Sequence, residues 1–156
     1  MEAKRVSEST TEQIHCIRYP HLNSLNRLFG GQLLAWIDEV GALAARRHCG
    51  RDVITASIDN LHFKSGANLN DIIILIAKVT YVGKTSLEVR VDTYREDNSG
   101  QRQPINRAYM VMVAMGDDGR PTEVPGLIPE TVSEKMEWEN AVKRRELRQR
   151  RKSEGY

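Results

Sequence analysis

A chain of 156 residues, 40% of them hydrophobic, is long enough to close one ordinary core and short for two. The formal charge of +2 hides an asymmetry: "KRRELRQRRK", Lys143 to Lys152, holds seven bases and one acid, so the rest of the chain is slightly acidic and the whole-chain balance says little about partners. No stretch approaches the ~20 apolar residues of a membrane span, and the opening "MEAKRVSESTTEQI" lacks the apolar run of a signal peptide; a cytoplasmic location is expected.

Taken in chain order, "EQIHCIRY" (Glu12 to Tyr19) reads as a first strand, and Pro20 with "HLNSLN" turns the chain out of it. From Gly31 to His48 the pattern is helical, with Gly50 as the stop. Four strand-like segments follow: "VITASIDNLHF", "DIIILIAKVTYV", "TSLEVRVDTYRE" and "PINRAYMVMVAM". In the third, Leu87, Val89 and Val91 alternate with Glu88, Arg90 and Asp92, the period of a half-buried strand. "KSGANLN", "GK" and "DNSGQRQ" between them carry turn chemistry. After Met115 three prolines break the regularity of "GDDGRPTEVPGLIPE", and Thr131 to Lys152 reads as a charged, solvated helix. Residues 10–116 are therefore expected to form the working domain. Residues 117–156 are expected to be a proline-containing linker and a basic, exposed tail outside the site.

One long apolar helix among five strands predicts an α+β fold, a curved antiparallel sheet with the helix packed into it. The open edges of such a sheet predict a homodimer. Cys16 and Cys49 lack metal-ligand spacing and are expected to be reduced thiols.

On the helix, Gln32, Glu39 and Arg46 recur every seven residues as one polar seam. Asp38 stands about a quarter turn away from it, on the strip of Leu34, Gly41, Ala42 and Ala45. Two readings stay open: a carboxylate bonded to a nearby backbone group, or one kept for chemistry. The small neighbours equally fit a sheet packed closely there. The glycines of "LFGGQL" open the helix, where free N–H groups and the dipole favour an anion or a polarised carbonyl, although glycine also serves packing. Donors for an oxyanion and a carboxylate two turns on make a sensible hydrolytic pair. Asn23 is a turn residue or an orienting group, and Asn26 a left-handed turn residue. His15, His21, His48 and His62 are scattered without partners at a recognisable spacing.

The run "NSLNRLFGGQLLAWIDE", followed by "ARRHCG", "VITASIDNLHF" and "GKTSLEVRV", resembles the hotdog-fold acyl-CoA thioesterases, specifically the cytosolic acyl-CoA hydrolase family, from about Ile14 to Met115. One departure is that many relatives have glycine where this chain has Asn26; both residues accept a left-handed turn. The resemblance implies hydrolysis of fatty acyl-CoA to free acid and CoA, without a metal and with no cofactor beyond the CoA of the substrate itself. It implies a homodimer, with dimers assembling as a trimer of dimers into a hexamer, and no nucleic-acid or membrane partner. Asp38 is implied as the base or nucleophile, the Gly31 N–H as the oxyanion donor and Asn23 as the residue orienting water. In the family, the asparagine and aspartate of one active site come from different subunits. Gly30 and the turn Gly83, Lys84, Thr85 and Ser86 are implied as substrate or CoA contacts. The alternative within the same fold is a non-catalytic acyl-CoA sensor whose basic tail binds nucleic acid, but that tail has no aromatic interleaving.

Overall fold

The computed structural model describes residues 1–59 and 61–156. A two-residue strand β1 (Lys4–Arg5) and a 3-10 turn (Val6–Glu8) precede β2 (Thr11–Cys16), and a second 3-10 turn (Tyr19–His21) leads towards α1 (Gly30–Cys49). β3 (Val53–Ile58), β4 (Ile72–Val82), β5 (Ser86–Glu96) and β6 (Arg102–Ala114) follow, then β7 (Leu127–Ile128) and α2 (Val132–Glu154). β2 to β6 form one antiparallel sheet in the order β2-β4-β5-β6-β3, while β1 and β7 make a small parallel pair. With α1 against the concave face, this is the expected hotdog arrangement. The first strand stops at Cys16 instead of Tyr19, because Pro20 cannot donate to a ladder and its fixed φ suits the turn. β3 stops at Ile58, short of the expected Phe63; Asn60 lies outside the described residues.

The 3.6-residue period of α1 sorts its side chains cleanly. Leu33, Trp36, Ile37, Val40, Ala44 and Ala45 are buried against the sheet. They meet inward-facing residues of β4, β5 and β6, among them Leu75, Val79, Val89, Val91, Met110 and Met112. A Cβ on Gly41 would stand 2.7 Å from the Met110 sulfur, so close packing against the sheet accounts for this small residue. Gly50 ends the helix at φ 66, its N–H donating to the Arg46 carbonyl at 2.7 Å. Asn26 adopts φ 57, the left-handed turn its residue type allows.

The last helix is exposed over most of its length, and one face of it packs on the sheet. Thr131 and Glu134 close a reciprocal capping box, and α2 then lies on the outer face of the sheet with Glu137 and Ala141 buried. The strand positions read as water-facing are covered: Glu88 is 2% and Asp92 8% exposed. Arg144 bonds Glu88 at 2.8 Å and Arg90 bonds Glu137 at 2.7 Å; the Tyr109 hydroxyl donates to Glu137 at 3.1 Å. Burial alone would lower the Arg90 pKa, but its hydrogen bonds to Glu137 and Asp92 outweigh that and raise it. β5 is therefore buried on both faces, apolar within and ionic without.

Candidate active site

Asp38 leaves α1 on the side of β3, half-buried, and its Oδ1 accepts the Thr55 hydroxyl proton at 2.5 Å. A register shift between Thr55 and Ser57 marks a bulge in β3, the kind of irregularity that re-aims a side chain. Thr55 also lies 3.4 Å from the Met112 sulfur, its neighbour on β6. The off-seam placement of Asp38 thus has a specific partner, and it is a side chain where the sequence offered a backbone group. Thr55 itself is a residue that sequence reasoning missed. Only the β3 register and its bulge mark it out among the exposed small residues Thr55, Ala56 and Ser57.

Two turns back, Phe29 caps α1 without a side-chain hydrogen bond, and its carbonyl accepts the Gln32 and Leu33 N–H groups at 3.0 and 3.1 Å. The N–H groups of Gly30 and Gly31 precede these bonds, and among the described residues they have no backbone acceptor. A Cβ on Gly31 would stand 2.6 Å from the Phe29 ring, which lies over the helix start. Asn23 faces the same end. Its Oδ1 accepts the Leu25 and Arg27 N–H groups at 2.9 and 3.2 Å, an Asx turn that fixes the carboxamide. Asn23 and Gly30 border a pocket of about 210 Å3 whose wall includes Leu33, Phe63, Ala67 and Ile105. Arg27 and Ser65, both absent from the sequence-derived site, also border it. The chain between β3 and β4 is fastened here by the Lys64 N–H on the Ile105 carbonyl and the Leu28 N–H on the Ala67 carbonyl, at 3.1 and 2.8 Å.

Within one chain these groups do not converge. Seven residues of helix separate Gly31 from Asp38, about 10 Å along the axis, whereas attack on one carbonyl needs base and oxyanion donors each within about 3 Å of the reacting atoms. Gly83 to Ser86 form the β4–β5 hairpin turn, closed by the Gly83 N–H on the Ser86 carbonyl at 2.8 Å. Ser86 pairs with Val113, eight residues along β6 from the Ile105 that borders the pocket, roughly 26 Å at strand rise. The turn is thus remote from Asn23 and Gly31 of its own chain. It touches α2, where the Arg145 guanidinium would be 3.3 Å from a Cβ on Gly83.

A larger cleft of about 1220 Å3 lies at the C-terminal end of α1 and carries Arg46, Arg47 and Arg51. It holds neither Asp38 nor Asn23, so its size does not make it the reaction centre. It does share an end of the sheet with the Gly83–Ser86 turn, since Met115 borders it and the adjacent Ala114 N–H donates to the Thr85 carbonyl at 2.9 Å. His15 stacks on Trp36 with centroids 4.2 Å apart and His21 meets the same ring edge-on at 4.9 Å. Burial holds the His15 imidazole below its ordinary pKa. The two histidines flank Trp36, on the face of α1 away from Asp38. No cluster of three potential metal ligands occurs among the described residues.

Residues 25–100 match the Thioesterase superfamily. The chain is 37% identical over 131 residues to the uncharacterized acyl-CoA thioester hydrolase YkhA of Bacillus subtilis (strain 168), covering 83% of this chain and 76% of that one. It also matches mammalian acyl coenzyme A thioesterases that are longer, spanning 24–41% of them. Among solved structures, an apo-hexameric acyl-CoA thioesterase superposes with a TM-score of 0.92 and 38% identity over 97% of both chains. The acyl-CoA hydrolase from Staphylococcus aureus, solved with butyryl coenzyme A, coenzyme A and coenzyme A disulfide, superposes with a TM-score of 0.92 at 35% identity, covering 97% of this chain and 93% of that one. Alanine variants of that hydrolase have been solved at an asparagine, an aspartate and a threonine that stand 15 and 17 residues apart in sequence.

Proposed function

This chain belongs to the thioesterase superfamily, and from that premise we propose that it hydrolyses acyl-CoA thioesters to a free acid and CoA. The observation that carries the reading is the Thr55–Asp38 contact at 2.5 Å. Asn23, Asp38 and Thr55 stand 15 and 17 residues apart, the same separations as the asparagine, aspartate and threonine replaced in the Staphylococcus aureus hydrolase. The hydrolase names of the relatives favour turnover over a silent acyl-CoA sensor.

Asp38 either takes a proton from water as it attacks the thioester carbonyl or attacks the carbonyl itself to form a transient anhydride. In both routes Thr55 holds the carboxylate, the Gly31 N–H receives the oxyanion and the Asn23 NH2 orients the water. The 10 Å between Gly31 and Asp38 supports a site in which a second copy supplies the other half. Among the described residues β3 pairs only with β6, and Ile54 is 53% exposed, which supports a dimer in which two β3 edges meet. The apo-hexameric acyl-CoA thioesterase that superposes on this chain supports assembly of such dimers by threes. Gly83 to Ser86, with the neighbouring arginines Arg46, Arg47 and Arg51, take the CoA arm and its phosphates. The pocket beside Asn23 and Gly30 takes the acyl chain. The relatives named cytosolic support a cytoplasmic location, and no helix among the described residues is long and apolar enough to cross a membrane.

The test is thiol release from a panel of acyl-CoAs with acyl chains from acetyl to palmitoyl, run beside Asp38→Asn. Release by the wild type and loss by the variant supports the reading. Acyl-CoA binding without thiol release refutes it in favour of the sensor.

A further inference from the structure

Burying charges under α2 is unfavourable unless the geometry repays it, and apolar side chains of similar volume serve stability at least as well. The use of this network therefore lies in what it holds in place. Arg148 spans the longest reach. Its Nε donates to both Asp59 oxygens at 2.9 and 3.0 Å, and its Nη2 to Asp59 Oδ2 at 2.7 Å and Glu88 Oε2 at 2.6 Å. Both members of the Arg148–Asp59 pair are largely out of solvent, with side chains 15% and 17% exposed. Arg151 adds a longer contact to Asp59 at 3.7 Å. Asp59 is the first residue after β3, and its N–H donates to the Tyr109 carbonyl at 2.9 Å. The chain beyond it carries Phe63, Ser65, Gly66 and Ala67, all of which line the 210 Å3 pocket with Asn23 and Gly30. α2 thus grips the root of the pocket wall from the far side of the sheet.

We propose that Arg148 is a positioning residue for hydrolysis: by fixing Asp59 it sets the wall that an extended acyl chain packs against. This rests on the reading of the pocket as the acyl site. An acetyl group offers the wall little surface, whereas an octanoyl chain packs along it, so the residue acts more strongly on the longer substrate.

The whole 156-residue chain is tested as Arg148→Met, which keeps the apolar stem and removes the fork. The kcat/KM for octanoyl-CoA should fall about tenfold or more while that for acetyl-CoA stays within about twofold. Asp59→Asn, of the same shape, should give the same split, and the double variant should add little to either single one. Arg144→Met is the control: Arg144 bonds the same Glu88 at 2.8 and 3.1 Å, and its hydrogen bonds among the described residues go to Glu88 and Glu137. It should lower the melting temperature without any chain-length split. Amide exchange across residues 61–69 should quicken in Arg148→Met and Asp59→Asn and stay unchanged in Arg144→Met. Equal losses on both substrates, a split in Arg144→Met as well, or unchanged exchange in Arg148→Met overturns the inference. Should Arg148→Met fail to fold, Asp59→Asn decides alone, and absence of its split is a refutation. A wild type that releases no thiol from any acyl-CoA instead defeats the hydrolase reading, an outcome the exchange measurement keeps separate.

Discussion

Replacing Thr55 by valine removes one hydroxyl and keeps the β-branched shape that suits a strand. The hydroxyl has two sulfur or oxygen acceptors within reach, Asp38 Oδ1 at 2.5 Å and Met112 Sδ at 3.4 Å, and the shorter contact identifies its working partner. Hydrogen bonds to charged groups contribute about 1.5–3 kcal/mol when buried. Thr55 is exposed and Asp38 half-buried in the single chain, so about 1–2 kcal/mol is the appropriate figure. Expressed in the transition state, that is roughly a 5- to 30-fold loss of kcat. The assay is the initial rate of CoA thiol release, with KM for butyryl-CoA followed in parallel. The expected result is a fall in kcat within that range with KM changed less than about twofold, and near-complete recovery in Thr55→Ser, which restores the donor. A Thr55→Val protein that keeps more than half of its kcat, or one that loses only KM, refutes the view that this hydroxyl aims the carboxylate.

Asp38→Asn should lower turnover by about 10² or more with an unchanged melting temperature, whereas a protein keeping over a tenth of its activity assigns Asp38 a structural task. Asn23→Ala and Asp38→Ala homodimers, each inactive, should regain about a quarter of wild-type activity when unfolded and refolded together, because half the dimers are mixed and each holds one intact site. No recovery, with mixed dimers verified by mass, rules out a site shared between copies. Ending the chain after Glu130 removes Glu137, Arg144 and Arg148 from the sheet, returns Glu88 and Asp92 to water, and should lower the denaturation midpoint. A truncated protein with wild-type denaturation would mean that the docked helix contributes nothing. His48 is fully buried; its Nε2 donates to the Pro125 carbonyl at 2.8 Å and its Nδ1 has no hydrogen-bond partner among the described residues, and burial holds its pKa below the ordinary range. Its stabilising contribution is complete above the unfolded pKa of about 6.5 and is lost as pH falls through that value towards the folded one. Denaturation midpoints should drop between pH 7.5 and 5.5, and less steeply in His48→Gln; equal slopes refute the assignment.

The hotdog core was legible because its signals are periodic. Gly31 to His48 repeats at helical spacing with Gly50 as the stop, and Leu87, Val89 and Val91 alternate as a strand should. The helical wheel also separated Asp38 from the polar seam, and its contact with Thr55 lies on the side that separation indicated. The docking of α2 was hidden for a physical reason. Glu88, Arg90 and Asp92 show the same polar pattern whether they face water or the arginines of a second layer, and charge alternation on a helix reads as solvated in both cases. Only after the strand register is known does Glu88 emerge beside Arg144 and Arg148. Thr55 was illegible on similar grounds, because its direction follows from a bulge that no residue type in "VITASI" demands.

The stretch of α1 from Gly31 to Asp38 admits replacement but not lengthening. One inserted residue rotates everything beyond it by about 100° and slides it about 1.5 Å, carrying Asp38 off Thr55. The same insertion turns Ile37, Val40 and Ala44 away from the sheet, so the spacing between donor end and acid is locked by the oily face as firmly as by the reaction. Variation in what such a helix serves must then enter by exchange of side chains along it, while gains and losses of length are confined to the connections, above all the run from 61 to 71 that walls the pocket.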